Sequence, residues 1–100
     1  MIESDRQTLL TVLREIERFE RSGGPLEDTQ SRFSQASDQL TFEQRALAHS
    51  LETAVEDLES VIYATPDDSQ RTTALGHLHR LCRELREVLG EVTEGTPSEI

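Results

Sequence analysis

The sequence predicts an all-α protein, a small antiparallel bundle of three to four helices with a frayed C-terminal tail. Aliphatic side chains recur at intervals of three and four along most of the chain, which is typical of amphipathic helices. No segment alternates polar and apolar residues as a half-buried strand does. The breaks are short, which favours antiparallel neighbours. One hundred residues suit one domain, and we assign residues 1–90 to the bundle and 91–100 to a flexible acidic tail.

The first predicted helix runs from about Asp5 to Arg21. Ser4 and Gln7 have the spacing of a capping box at its start. The residues SGGP at positions 22–25 end it, because Gly adopts the left-handed turn that closes a helix and Pro cannot continue one. The apolar stripe of this helix is Leu9, Val12, Leu13, Ile16 and Phe19.

The second segment, residues 25–40, has the weakest helical pattern. Leu26, Phe33, Ala36 and Leu40 share one face. The many Ser and Gln residues between them have little intrinsic helix propensity, so packing must hold the segment. We predict that it covers the other helices only partially, and whether residues 26–37 form a full helix is left open.

The third and fourth segments have regular helical patterns of apolar residues. Thr41 and Gln44 repeat the capping-box pattern, and the stripe that follows consists of Leu47, Leu51, Ala54, Val55, Leu58, Val61 and Ile62. Thr65 and Pro66 are suited to the start of the fourth helix, which is predicted to end at Gly90. Its stripe is Leu75, Leu78, Leu81, Cys82, Leu85, Val88 and Leu89. The predicted core includes Leu13, Ile16, Leu51, Leu58, Leu78, Cys82 and Leu85.

The stretch GHLHRLC, residues 76–82, resembles the start of a metal site. On a helix, however, His77 and His79 are separated by about 160° around the axis, since each residue turns about 100°. Cys82 falls within the apolar stripe, where a thiol behaves as a small hydrophobic group. We therefore predict that this stretch binds no metal.

Other sequence features narrow the class of protein. No nucleophile elbow, P-loop, zinc-protease or dinucleotide-binding motif is present, so we expect neither an enzyme nor a cofactor. The longest apolar runs are far shorter than the roughly 20 residues that span a membrane, and the N-terminus does not resemble a signal peptide. A cytoplasmic protein is expected. The lack of Lys and Asn is typical of a GC-rich bacterial genome or a salt-adapted one.

The acidity of the chain is concentrated in one region. The net charge is −10, which disfavours binding to nucleic acid because phosphates attract cations. Between Arg45 and Arg71 there are six acidic residues and no Lys or Arg. The candidate residues for binding a basic protein are Glu52, Glu56, Glu59, Tyr63, Asp67 and Asp68. Tyr63 would be the aromatic anchor. The alternative is a solvated outer face in an acidic proteome.

The segments LLTVLREIERF and LETAVEDLESVIYATPDDSQRTTALGHL, separated by a Gly-Pro break, resemble the small helical immunity proteins that bacteria keep against their own colicin-type or contact-dependent toxins. The likeness spans about residues 8–80 and lies in size, helix layout and the acidic third helix. It implies that an acidic surface covers the basic cleft of a toxin nuclease. The six candidate residues would then face the toxin.

Three classes of function remain open from the sequence. The first is an inhibitory binding protein of the immunity type. The second is a structural or adaptor bundle of unknown partner, including a homodimer formed through surplus apolar surface. The third is a helical enzyme or metal protein, which is the one the residues favour least.

Overall fold

The computed structural model describes the backbone of residues 2–93 and the side chains of residues 2–90. Its elements are α1 (Glu3–Ser22), α2 (Leu26–Gln39), the short 3₁₀ helix η1 (Phe42–Gln44), α3 (Arg45–Ala64) and α4 (Asp67–Thr93). The described residues contain no strand. The predicted all-α bundle is therefore confirmed, and within residues 2–93 it has four α-helices.

The helices form a ring in which each packs against its neighbours along the chain and α4 returns to pack against α1. The direction of α4 relative to α1 is given by two contacts, Glu17 with Arg86 and Glu20 with His79. Later residues of α1 thus contact earlier residues of α4, so the two helices are antiparallel. The three short connections impose the same arrangement on the other neighbouring pairs.

The core lies along the axis of the ring and is built from the predicted stripes. Ile16, Leu51, Leu58, Leu78 and Leu85 are all fully buried or nearly so, and Cys82 is 7% exposed. Leu13 was also predicted in the core, but it is only partly buried and packs against the edge of the cluster. Its position is about 60° around α1 from Ile16 and 100° from Val12, which places it at the margin of the stripe.

The second helix is a full member of the bundle, so the prediction of a partial cover was wrong. It runs from Leu26 to Gln39, and the side chain of Phe33 is completely buried. Its polar residues reach the neighbouring helices: Gln30 donates to the carbonyl of Val55 at 2.9 Å, and Ser37 donates to the carbonyl of Ala48 at 3.3 Å. The residues that weakened the helical pattern are among those that attach α2 to α3.

Neither predicted capping box forms. Helix α1 begins at Glu3, before Ser4, and Gln7 donates to the side chain of Glu3 at 2.8 Å. Thr41 does not cap η1 with its side chain. Its backbone N–H and hydroxyl instead donate to the carboxylate of Asp5, at 3.0 and 2.5 Å. Asp5 is fully buried, and a buried carboxylate requires donors of this kind.

The last helix begins one residue after Pro66 and continues through Gly90 to Thr93. Residues 91–93 were predicted to belong to a tail and are helical. The rest of the predicted tail, residues 94–100, lies outside the described residues. Within residues 2–93, none of the helices combines the length and hydrophobicity that crossing a membrane requires.

A charged cluster around the buried carboxylate of Glu15 joins α1 to α2. Glu15, with a side chain 4% exposed, accepts two hydrogen bonds from Arg18, at 2.7 and 3.0 Å. Thr29, itself fully buried, donates to the same carboxylate at 2.8 Å, and Arg32 lies 3.4 Å from it. Burial raises the pKa of Glu15, but the hydrogen bonds from Arg18 and Thr29 and the charges of Arg18 and Arg32 outweigh it. The pKa is therefore below its ordinary value of 4.5.

The Glu15 cluster is expected to make the bundle sensitive to acid. A carboxyl group whose pKa is lower in the folded than in the unfolded protein contributes to the free energy of unfolding. This contribution is fully present above pH 4.5 and is lost as the pH falls from there through the pKa of the folded protein. Urea unfolding at neutral and acid pH measures the loss. Because Glu15→Gln has no carboxyl group at this position, it should lose less unfolding free energy across the window than the parent. Equal losses in the two proteins would contradict this account.

Candidate functional site

The side of α3 that points away from the core carries the predicted binding residues. Glu52, Glu56, Glu59 and Tyr63 succeed one another at steps of four, three and four, so they form a single line along the helix. All four side chains are exposed, and Tyr63 is 81% exposed. The opposite side of the helix is buried, because Leu51, Leu58 and their stripe fill the core. We call the line from Glu52 to Tyr63 the acidic strip.

The strip carries negative charge that the described residues leave largely uncompensated. Among residues 2–90, the side chains of Glu56 and Glu59 form no hydrogen bond or ion pair. The hydroxyl of Ser37 shares its single hydrogen between the carboxylate of Glu52 at 3.2 Å and the carbonyl of Ala48 at 3.3 Å, and this contact leans Glu52 toward α2. Like charges three and four residues apart on a helix repel by a few tenths of a kcal/mol per pair. The strip thus favours the approach of cations.

The two remaining candidate residues are not on α3 but on the next helix. Asp67 and Asp68 are exposed in the first turn of α4. Asp67 borders a shallow groove at the end of the bundle, together with Arg71 and the loop between α1 and α2. The structure therefore places four of the predicted residues on one line and the two aspartates at the end of the bundle.

One exposed aromatic residue at the other end of α3 was not anticipated. Phe42 in η1 is 78% exposed, and the guanidinium carbon of Arg45 stands 4.6 Å from the centre of its ring. Phe42, Arg45 and His49 border one shallow depression. The available signal was that Phe42 stands outside the stripe that begins at Leu47, so a helix starting near it would leave the ring in solvent.

The histidines of GHLHRLC face different helices, as their spacing predicted. Nδ1 of His77 lies 3.5 Å from the carboxylate of Asp57 on α3 and makes no hydrogen bond, whereas Nε2 of His79 lies 2.9 Å from Glu20 on α1. Cys82 is buried in the apolar core. In the described part of the chain, no three His, Cys, Asp or Glu side chains are grouped so that they could hold a metal ion.

Comparisons of the chain with protein-family models, with curated proteins and with solved structures found no match. The function is therefore inferred from the geometry and charge of the α3 surface.

Proposed function

We propose that this chain is a non-enzymatic binding protein that covers a basic surface of another protein with its acidic strip. In its most specific form, the proposal is an immunity protein that neutralises a basic bacterial toxin domain. The observation that carries it is the line of three exposed glutamates ending in Tyr63, which is 81% exposed. Aromatic side chains are frequent anchors at the centre of protein interfaces.

The charge of the strip gives the proposal a physical basis. Opposite charges on two approaching proteins raise the rate of encounter and align the surfaces, whereas like charges repel. Two copies of this chain would bring glutamates against glutamates if they met through their strips. The strip therefore favours a basic partner over a symmetric homodimer through this face.

The immunity-type form of the proposal rests on the resemblance in size, helix layout and acidic third helix. Such a protein needs a rigid scaffold and an exposed complementary surface, and it needs no catalytic group. The bundle supports this role because every side chain of the strip stands on one helix whose opposite side is packed in the core.

The test needs a basic partner, which is sought by pull-down from the source organism and among the products of the adjacent genes, and its association with the parent chain is then measured. The association rate is expected to fall steeply as salt is added, because steering by exposed charges is screened within about 10 Å at 0.1 M salt. The dissociation rate should change much less. An association rate that does not respond to salt, or no association at all, would contradict the proposal.

A further inference from the structure

Phe42 is one of three large apolar side chains that are strongly exposed in the described residues, together with Ile2 and Tyr63. The turn that carries Phe42 is tied to α1 by the two hydrogen bonds from Thr41 to the fully buried Asp5. The Arg45 guanidinium stacks on the ring from the side of α3. The backbone that carries Phe42 is therefore attached to α1, and the ring contacts α3 through Arg45.

Phe42 lies on the extension of the acidic strip. Arg45 and His49 precede Glu52 at steps of four and three, so the line of residues on α3 begins beside Phe42 and ends at Tyr63. At 1.5 Å per residue, Arg45 and Tyr63 are about 27 Å apart along the axis. The three glutamates occupy the middle of this line, and an exposed aromatic ring stands at each end.

We infer that Phe42 is a second anchor of the binding surface and that the occupant is a basic α-helix of the partner laid along α3. The inference rests on the proposed function and makes it more specific. A straight line of side chains at three- and four-residue steps is a ridge, and such a ridge fits the groove between the side-chain rows of a second helix packed along α3. The partner helix would have about 18 residues to span about 27 Å. It would carry basic residues in its middle and an apolar residue near each end.

The charges on the surface select this occupant over a second copy of the chain. The strip has three glutamates, and α3 itself has no Lys or Arg after Arg45. An Arg-rich helix would pair with these carboxylates, since a guanidinium forms strong charge-assisted hydrogen bonds with them. The two rings would take up the apolar ends of the helix, where they exclude water from the charged contacts.

The composition of the chain makes both ends of the surface easy to observe. The chain has one Tyr and no Trp, so Tyr63 fluorescence reports on one end and the single indole of the Phe42→Trp variant reports on the other. The probe is a synthetic helical peptide of about 18 residues with Arg at three- and four-residue steps and Leu near both ends. A control peptide has the same composition with both Leu residues moved to its centre.

Binding of the probe peptide should change the Tyr63 emission in the parent and shift the indole emission of the Phe42→Trp variant to shorter wavelength. Phe42→Ala should weaken binding by about tenfold, the effect of losing roughly 1.4 kcal/mol of an aromatic contact. Ile2→Ala is the matched control, because it removes an exposed apolar side chain that is not on the α3 line, and it should bind as the parent does. The control peptide should bind more weakly than the probe.

Three results would overturn the inference. In the first, the Tyr63 emission changes on binding, the indole emission of Phe42→Trp does not, and Phe42→Ala binds the peptide as tightly as the parent. This result would leave the proposed function intact but would show that Phe42 is not an anchor. In the second, the probe and the control peptide bind with equal affinity. This result would show that charge alone attracts the peptide and that its Leu residues are not aligned with the two rings. A sedimentation mass that rises with concentration in the absence of peptide, and is lowered by Phe42→Ala, would make a second copy the occupant. The salt dependence of association with the basic partner tests the proposed function separately.

Discussion

Replacing Glu52, Glu56 and Glu59 together by Arg is expected to abolish binding to the basic partner while leaving the bundle folded. The change alters the charge of the strip by six units and places cations against cations. Like-charge contacts at an interface cost several kcal/mol, so the affinity should fall by more than about a hundredfold. Titration calorimetry or surface plasmon resonance measures the loss, and circular dichroism measures the fold.

The fold should survive this triple change because all three side chains are exposed. Only Glu52 makes a hydrogen bond to another helix, with Ser37, and the Ser37 hydroxyl still has the carbonyl of Ala48 at 3.3 Å. The relief of repulsion among the glutamates adds a few tenths of a kcal/mol per pair.

A charge-matched control separates the strip from the net charge of the chain. Glu27, Asp38 and Glu87 are exposed acidic residues on α2 and α4, and changing all three to Arg alters the net charge equally. This control should lower the association rate moderately and keep most of the affinity. If the strip variant binds as well as the control does, the acidic strip is only solvated surface.

Leu58→Ala is expected to destabilise the bundle by about 2–5 kcal/mol, the range for removing a buried leucine and leaving a cavity. Leu58 has a relative exposure of 0% and lies on the core side of α3. A domain of this size has only about 5–15 kcal/mol to lose. Urea unfolding followed by circular dichroism measures the shift in midpoint.

Thr53→Ala is the control for this measurement, because Thr53 is exposed on the same helix. Surface changes of this kind stay within about 0.5 kcal/mol. A Leu58→Ala protein as stable as Thr53→Ala would contradict the position of Leu58 in the core.

The apolar spacing in the sequence predicted the helices of α1, α3 and α4 and nearly all of their buried residues. It succeeded because a helix places residues three and four apart on one face, and that face must be buried. The line of Glu52, Glu56, Glu59 and Tyr63 followed from the same geometry, since it is the complement of the buried stripe. The opposite directions of His77 and His79 followed as well.

The hydrogen-bond partners of the polar residues were decided by the tertiary structure. Thr41 has the local pattern of a cap, yet it bonds to Asp5, which is 36 residues away in the chain. In the sequence, Glu15 is one more charge on a mixed-sign helix, yet Thr29 and two arginines enclose it. A capping pattern describes only neighbours in sequence, whereas a buried carboxylate takes its donors from whichever helix packs against it.

The sequence by itself determined the number and faces of the strong helices, because hydrophobic burial follows a period that is visible along the chain. The tertiary structure alone decided that α2 is a full member of the bundle, where Asp5 and Glu15 find their donors, and that the turn carrying Phe42 is attached to α1. These outcomes depend on which surfaces meet in space. Hydrogen bonds between helices have no period in the sequence.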